Sequence, residues 1–198
     1  MERTTTEQPL PDWAFPPPGG FTAEDLDHIP GLPPHTELID GSLVFVGPQT
    51  CFHSLAVSLL GMGLRASVPE SLRVCSQMTI TLNRGNRPEP DITILRAGAV
   101  TAEADETGYQ AADVVLAVEV VSPESRDRDR KRKPQLYAEA GIRHFWLVEH
   151  GKGRHPVVYV YELNPVTSSY VPTGIHHDRL KLTVPFDIDI DLTEIDRM

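Results

Sequence analysis

Cysteine is scarce in this chain, with only Cys51 and Cys75 among 198 residues. Two cysteines exclude a disulfide framework and a multi-cysteine zinc site, and the eight histidines show no spacing typical of metal ligands. No apolar run approaches the roughly 18 residues that span a membrane, and the N-terminus lacks the basic-then-apolar pattern of a signal peptide. We therefore expect a cytoplasmic protein with no membrane partner.

Positive charge is also in short supply, because 18 Lys and Arg face 28 Asp and Glu, for a net charge of −10. This balance argues against a protein that binds nucleic acid with its whole surface. The length and a hydrophobic content of 40% predict one ordinary domain. Five prolines and two glycines before residue 21 predict a flexible arm over residues 1–20, ahead of a single domain over residues 21–198.

One apolar run, residues 114–118, has five consecutive apolar residues of which four are branched. Such a run predicts a central strand that is buried on both faces. Glu119 follows it directly, and a carboxylate in such a strand costs several kcal/mol unless a cation or hydrogen-bond donors compensate it. Two interpretations stay open: Glu119 emerges into water at the strand end, or it is a metal ligand.

A basic segment, residues 126–133, follows Glu119 and contains six basic and two acidic residues. Its charge of +4 leaves −14 for the rest of the chain, since the total is −10. A charge run is usually a solvated face, but the short distance from Glu119 favours a functional role. The candidate nucleic-acid contacts are Arg126, Arg128, Arg130, Lys131 and Arg132.

The first half of the domain contains recognisable start and stop signals. Thr22 is predicted to cap a short helix that Pro30 closes. Residues 37–46 are typical of a hairpin with a type I′ turn at Asp40-Gly41. Thr50 is predicted to cap a second helix that ends at Pro69. In its first turn lies His53, for which a surface or capping role is favoured over catalysis.

The second half alternates strands and one helix. Strands are predicted at residues 74–82 and 92–95, with Asp91 at the entrance of the latter, and a helix at residues 136–141 leads to a strand at residues 144–149. This strand-helix-strand order predicts two parallel strands. Residues 157–162 and 169–172 form a predicted antiparallel ribbon, and residues 186–192 an edge strand with a solvated acidic face.

Several ordered motifs carry a family resemblance that spans Thr22 to Leu192. The motifs are Glu37 to Gly41, His53, Pro88-Glu89-Pro90-Asp91, Glu119 to Pro123, then Asp129, Lys133, Tyr137 and Gly141 at four-residue intervals, and Phe145 to Val148. With these motifs the chain resembles the Uma-two family of restriction-endonuclease-like proteins. The resemblance implies the PD-(D/E)XK nuclease fold, an α/β (α+β) restriction-endonuclease-like domain whose mixed sheet of about four core strands is flanked by helices, here with the additional ribbon.

The resemblance implies a nuclease that hydrolyses DNA with the help of Mg²⁺ or Mn²⁺. Asp91 and Glu119 would bind the metal at the ends of adjacent strands, and a bound ion would activate water and neutralise the phosphate. Glu37 would be a further acidic contributor, directly or through water, unless it is an exposed strand residue. Two residues beyond Glu119 the superfamily consensus has lysine, whereas this chain has Val121, so a cation must come from elsewhere.

The resemblance points to Lys133 as the catalytic cation. On a continuous helix Asp129, Lys133 and Tyr137 share one face, whereas Lys131 points away. Because Pro134 disfavours a helix running through it, the helix is expected to begin near Lys133 or to be kinked there.

Two further possibilities remain open. One is a nuclease-fold protein that binds nucleic acid or a protein partner without cleaving. The other is that the basic segment contacts the acidic C-terminal strand of a neighbouring subunit. Residues 145–148 and the predicted ribbon supply more apolar strand than a small sheet needs, and members of this superfamily often form pairs. We therefore expect a homodimer.

Overall fold

The computed structural model describes residues 11–101 and 106–198, so residues 1–10 of the predicted arm and residues 102–105 lie outside the described part. The division into arm and domain stays a prediction. The helices are α1 (Asp25–His28), α2 (Cys51–Ser67) and α3 (Lys133–Glu139). The strands are β1 (Glu37–Ile39), β2 (Ser42–Val44), β3 (Leu72–Ser76), β4 (Thr79–Thr81), β5 (Ile92–Arg96), β6 (Gly108–Gln110), β7 (Val114–Val120), β8 (His144–His150), β9 (Pro156–Asn164), β10 (Ser169–His176), β11 (Arg179–Leu182) and β12 (Ile188–Asp191).

A mixed six-stranded sheet with the order β10-β9-β8-β7-β5-β3 organises the domain. The parallel pair in it is β7 with β8, joined through α3, which confirms the predicted strand-helix-strand unit. The predicted ribbon is β9 with β10, and β9 also pairs with β8. The ribbon therefore extends the main sheet, which explains why the sheet has more than the expected four or so strands.

The two faces of the sheet carry different layers. On one face α2 and the β11–β12 pair form a core in which Leu60, Leu64, Val118 and Ile190 are buried together. The other face packs against α3, where Tyr137, Ala117 and Phe145 belong to a second buried cluster. Side chains alternate along a strand, so Glu119 lies between two residues that face α2 and itself points toward α3.

The sequence predicts a helix cap and a hairpin turn correctly where neighbouring residues alone determine the local structure. Thr50 accepts a hydrogen bond from the backbone N–H of His53 at the start of α2. The β1–β2 hairpin turns at Asp40 and Gly41, whose φ angles are 50° and 73°, as a type I′ turn requires. Thr22 does not cap α1, because its hydroxyl donates instead to the Asp25 carboxylate.

The predicted strand over residues 74–82 is divided in two. Gln77 has a φ of 54° between β3 and β4, a left-handed conformation that interrupts an extended strand. As a result β3 pairs with β5 in the main sheet, while β4 pairs with β6 in a separate two-stranded sheet.

The C-terminal acidic strand is an edge element, as predicted. It forms β12, in which Asp189 is paired with Arg179 at 2.6 Å. None of the helices within the described ranges has the length and apolar character needed to cross a bilayer.

The close approach of α2 to β12 generates a stability prediction. A Cβ at Gly63 would lie 2.6 Å from Ile190 Cδ1, whereas a Cβ at Gly61 would meet only Arg65 Nη1, at 3.4 Å. Alanine in place of a helical glycine stabilises by up to about 1 kcal/mol, but overpacking costs about 1–3 kcal/mol. We therefore expect Gly61→Ala to raise the free energy of unfolding in urea and Gly63→Ala to lower it. Equal stabilisation by both changes would show that β12 packs more loosely on α2.

Candidate active site

Hydrogen bonding between β5 and β7 brings two predicted metal ligands to one end of the sheet. Asp91 precedes β5, and its neighbour Ile92 pairs with Val118 of β7. The Val120 N–H donates to Asp91 Oδ2 at 2.6 Å. The Asp91 carboxylate is thus fixed beside the strand that carries Glu119.

His53 is a correction to the sequence interpretation. Its side chain is buried, and its Nε2 lies 2.9 Å from Asp91 Oδ1. The capping contact in this turn is made by the His53 backbone, which leaves the imidazole free to point under α2 toward the sheet. A surface or capping role for the side chain is therefore wrong, and His53 orients Asp91.

Glu119 is 2% exposed, so the interpretation in which it emerges into water is wrong. Lys133 Nζ lies 3.0 Å from its Oε2, and the Tyr137 hydroxyl donates to its Oε1 at 2.5 Å. Both partners come from α3. The structure thus supplies the cation and the donor that a carboxylate in an apolar strand requires.

Lys133 occupies the centre of this cluster. Its ammonium lies 2.8 Å from Glu37 Oε1 and 3.5 Å from Asp129 Oδ1, in addition to its contact with Glu119. The lysine begins α3 and Pro134 lies in the first turn, after a π-helical turn over Arg128–Arg132. α3 itself thus begins at Lys133, but the backbone is already helical before that residue. The expectation of a fresh helix start is therefore only partly met, and the π-helical turn accommodates Pro134 within a longer helical segment.

Lys131 is oriented differently, as the spacing predicted. Its side chain is 74% exposed and pairs with Asp127 at 3.1 Å. Val121, in the consensus lysine position, packs against the apolar cluster under α3. α3, which covers the face of the sheet to which Val121 belongs, thus supplies the ammonium group of Lys133 that β7 does not provide.

Glu37 is buried, with 2% exposure, so it is not an exposed strand residue. Its Oε1 accepts a hydrogen bond from the Glu89 N–H at 2.8 Å. Glu89 itself pairs with His35 at 2.6 Å. The chain segment leading to Asp91 thus adds a carboxylate of its own to the site.

Several of these residues were not selected as site residues from the sequence. Asp129 and Tyr137 had a usable signal, because they share the four-residue spacing of Lys133. The burial of His53 and the position of Glu89 depend on contacts between distant segments, and no local pattern carries that information.

The electrostatics of the cluster show a surplus of negative charge. A cavity of about 270 Å³ is lined by five carboxylates but only two basic side chains that are always charged, those of Lys133 and Arg128. The carboxylates are Glu37, Glu89, Asp91, Glu119 and Asp129, and the cavity is also lined by His35 and His53. A cation entering this cavity would therefore be attracted.

The pKa shifts follow from burial and from this surplus. Burial raises the pKa of the Glu119 carboxyl well above its usual value, Lys133 opposes the rise, and neighbouring carboxylates add to it. Burial likewise raises the pKa of Asp129 and of Glu89. Burial alone would lower the pKa of the Lys133 ammonium, but Glu119, Glu37 and Asp129 outweigh it and hold the pKa well above its usual value. Lys133 is therefore a permanent cation.

The basic segment is largely paired with carboxylates. Ion pairs join Arg128 to Glu124, Arg130 to Glu149, Lys131 to Asp127 and Arg132 to Asp40. Arg126 is exposed and has no ion-pair partner among the residues that the structure describes. The roles of this segment in binding nucleic acid or a neighbouring subunit, and the homodimer, stay predictions.

Arg128 differs from the rest of the segment in where it lies. It lines the carboxylate cavity, and its Nε is buried with no hydrogen-bond partner within the described residues. An unpaired buried donor is costly, so Arg128 is not held in place by hydrogen bonds alone.

Comparisons with known proteins agree with the fold. The family model Uma2, described as "Putative restriction endonuclease", matches residues 23–193. A crystal structure described as a putative nuclease belonging to DUF820, from Anabaena variabilis, has a TM-score of 0.66 at 16% identity and covers 88% of this chain and 97% of its own. A search of the curated proteins found no match. These results confirm the expected restriction-endonuclease-like fold.

The central position of Lys133 generates a second stability prediction. Lys133→Met would leave Glu37, Glu119 and Asp129 buried without their shared cation, which typically costs about 3–5 kcal/mol. Lys131→Met is the matched control, because an exposed ion pair is worth about 0–1 kcal/mol. Urea unfolding of both variants measures the difference. Similar stability of the two would show that Lys133 does not hold the cluster together.

Proposed function

Because the chain belongs to the Uma2 family of "putative restriction endonuclease" proteins, we propose that it is a divalent-metal-dependent nuclease that hydrolyses phosphodiester bonds in DNA. The observation that carries the proposal is the meeting of Asp91 and Glu119 on neighbouring strands with the ammonium of Lys133, in one buried cavity. Phosphodiester hydrolysis needs a cluster of this kind, because negative charge builds up on the phosphate during the reaction.

The donor set suits magnesium or manganese. Both ions prefer oxygen ligands, and Asp91 and Glu119 supply carboxylates in a cavity where negative charge exceeds positive charge. Within residues 11–101 and 106–198 no three acidic, histidine or cysteine side chains are arranged to hold a metal by themselves. Magnesium is commonly bound through one or two carboxylates together with water and substrate phosphate, so two carboxylates suffice.

Each carboxylate oxygen of the pair already has one polar contact. Asp91 is held by His53 and the Val120 N–H, and Glu119 by Lys133 and Tyr137. A carboxylate oxygen has a second lone pair, so these contacts orient the ligands without removing them. A bound ion would supply an activated water and neutralise charge on the phosphate.

Lys133 has the role that the consensus lysine has in related folds. Its ammonium remains charged because three carboxylates surround it, so it acts as an electrostatic stabiliser and hydrogen-bond donor rather than as a base. Tyr137 fixes Glu119 from the other side, and the two side chains together set the carboxylate in one orientation.

Phosphate binding is assigned to the basic segment, with Arg128 nearest to the reacting group. Arg128 lines the carboxylate cavity, where its guanidinium can donate to a phosphate oxygen. Arg126, which is exposed, can contact the strand farther out. Arg130, Lys131 and Arg132 are already paired with carboxylates and would have to exchange these partners for phosphates. We therefore expect them to contribute less to the affinity for DNA.

The test is cleavage of supercoiled DNA by the purified protein. We expect nicked and linear products with Mg²⁺ or Mn²⁺ and none with EDTA, because the proposed chemistry needs the ion. Glu119→Gln should lower the rate by orders of magnitude, while Glu194→Gln, which changes a carboxylate that pairs with Arg197 and does not line the cavity, should leave it unchanged.

Two results would contradict the proposal. Equal cleavage by wild type and Glu119→Gln would place the activity elsewhere. An absence of cleavage on double-stranded and single-stranded DNA with either metal would favour a nuclease-fold protein that binds without cleaving.

A further inference from the structure

A second cavity, of about 390 Å³, lies on a different face of the helical segment that lines the carboxylate cavity. The segment contributes Arg130, Lys131 and Pro134 to this second cavity, and Arg128, Asp129 and Lys133 to the first. One helical segment therefore separates the two cavities. Nothing in the proposed chemistry uses the second one.

Aromatic rings of the sheet form the floor and one side of this cavity. Phe145 is almost completely buried, with its ring centroid 5.3 Å from that of Tyr170 and 5.8 Å from that of Tyr161. The two tyrosines are only partly buried. The Tyr170 hydroxyl donates to the Ile142 carbonyl at 2.7 Å, which holds that ring in place at the cavity that it lines.

Cations stand at the margin of the same cavity. Lys131 is 74% exposed and its partner Asp127 is also exposed, so the ammonium can move to a new partner. Arg130 is held by Glu149 at 2.6 Å, and one carboxylate, Glu139, also lines the cavity. Of the charged residues that line the cavity two are cations and one is a carboxylate, and Lys131, whose ion pair is fully at the surface, is the cation that a phosphate can most easily engage.

We propose that this cavity binds an unpaired nucleobase of a single-stranded nucleic acid whose backbone continues into the carboxylate cavity. Aromatic rings on which bases stack, next to cations that contact phosphates, are the recurring composition of single-strand binding sites. A base in a duplex is already stacked and paired, so only an unpaired base can enter. The ligand class rests on the proposed nuclease function and would define its substrate as DNA with unpaired bases.

The distance between the cavities is compatible with one strand. A helix with its side chains is about 10–12 Å across, a distance that a few nucleotides of an extended single strand can cover. The base in the second cavity would thus lie a few nucleotides from the phosphate at Lys133.

Binding of fluorescent oligonucleotides, measured by anisotropy in EDTA so that no cleavage occurs, tests the inference. Three ligands are compared: a single strand, the same strand with abasic sites, and the duplex. We expect wild type to bind the natural single strand about 10-fold more tightly than the abasic strand, since stacking on a ring contributes on that scale. The duplex should likewise bind more weakly than the natural single strand.

Tyr161 provides the matched variants. Tyr161→Ala should lose the roughly tenfold preference for the natural strand over the abasic strand, whereas Tyr161→Phe keeps the ring and should retain it. Val171→Ala is the control, because Val171 is an exposed apolar residue on β10 that does not line the cavity.

Equal affinity of wild type for natural and abasic strands would overturn the inference, even if Tyr161→Ala cannot be purified folded. Tyr161→Ala that converts a dimer to a monomer in light scattering, without changing DNA affinity, would also overturn it by assigning the cavity to a subunit contact. The nuclease proposal is tested separately by cleavage. Base-dependent binding without metal-dependent cleavage would support base binding in this cavity and contradict the nuclease proposal. Metal-dependent cleavage without base-dependent binding would support the nuclease proposal and contradict base binding in this cavity.

Discussion

The burial of one ammonium group among carboxylates is the interaction on which the rest of this site depends. Lys133 lies within 3.5 Å of carboxylates from three structural elements, Glu37 of β1, Glu119 of β7 and Asp129 of the π-helical turn before α3. Buried carboxylates are costly without a partner, and a single positive charge cannot balance all of them. The remaining deficit of positive charge is the physical basis for proposing that a divalent cation completes the site.

The fold supports this cluster by combining two pairings in one strand. β7 is hydrogen-bonded to β5 on one side and lies parallel to β8 on the other. The first pairing places Asp91 next to Glu119, and the second requires the crossover helix α3 that carries Lys133 and Tyr137. α3 covers the face of the sheet toward which Glu119 points. Lys133, the first residue of α3, can therefore take the place of a lysine two residues beyond Glu119. Val121 is then free to pack as an apolar residue.

Short-range patterns predicted most of the elements, because a cap or a turn is decided by neighbouring residues. Thr50 at the start of α2 and Asp40-Gly41 in the hairpin are examples. The burial of His53 could not be predicted from its position in a first turn, since it depends on how α2 lies over Asp91. The pairing of Arg130 with Glu149 and of Arg132 with Asp40 also joins distant segments. In these cases tertiary contacts decided the outcome.

The central claim is that the surplus of buried carboxylates forms a divalent-metal site around Asp91 and Glu119. Calorimetric titration of the protein with Mn²⁺ tests it most directly, since binding is measured without any substrate. We predict saturable binding by wild type and by Glu194→Gln, whose carboxylate lies outside the cavity, and its loss in Glu119→Gln, which keeps the shape of the side chain but removes its charge. Unchanged Mn²⁺ affinity in Glu119→Gln would contradict the claim.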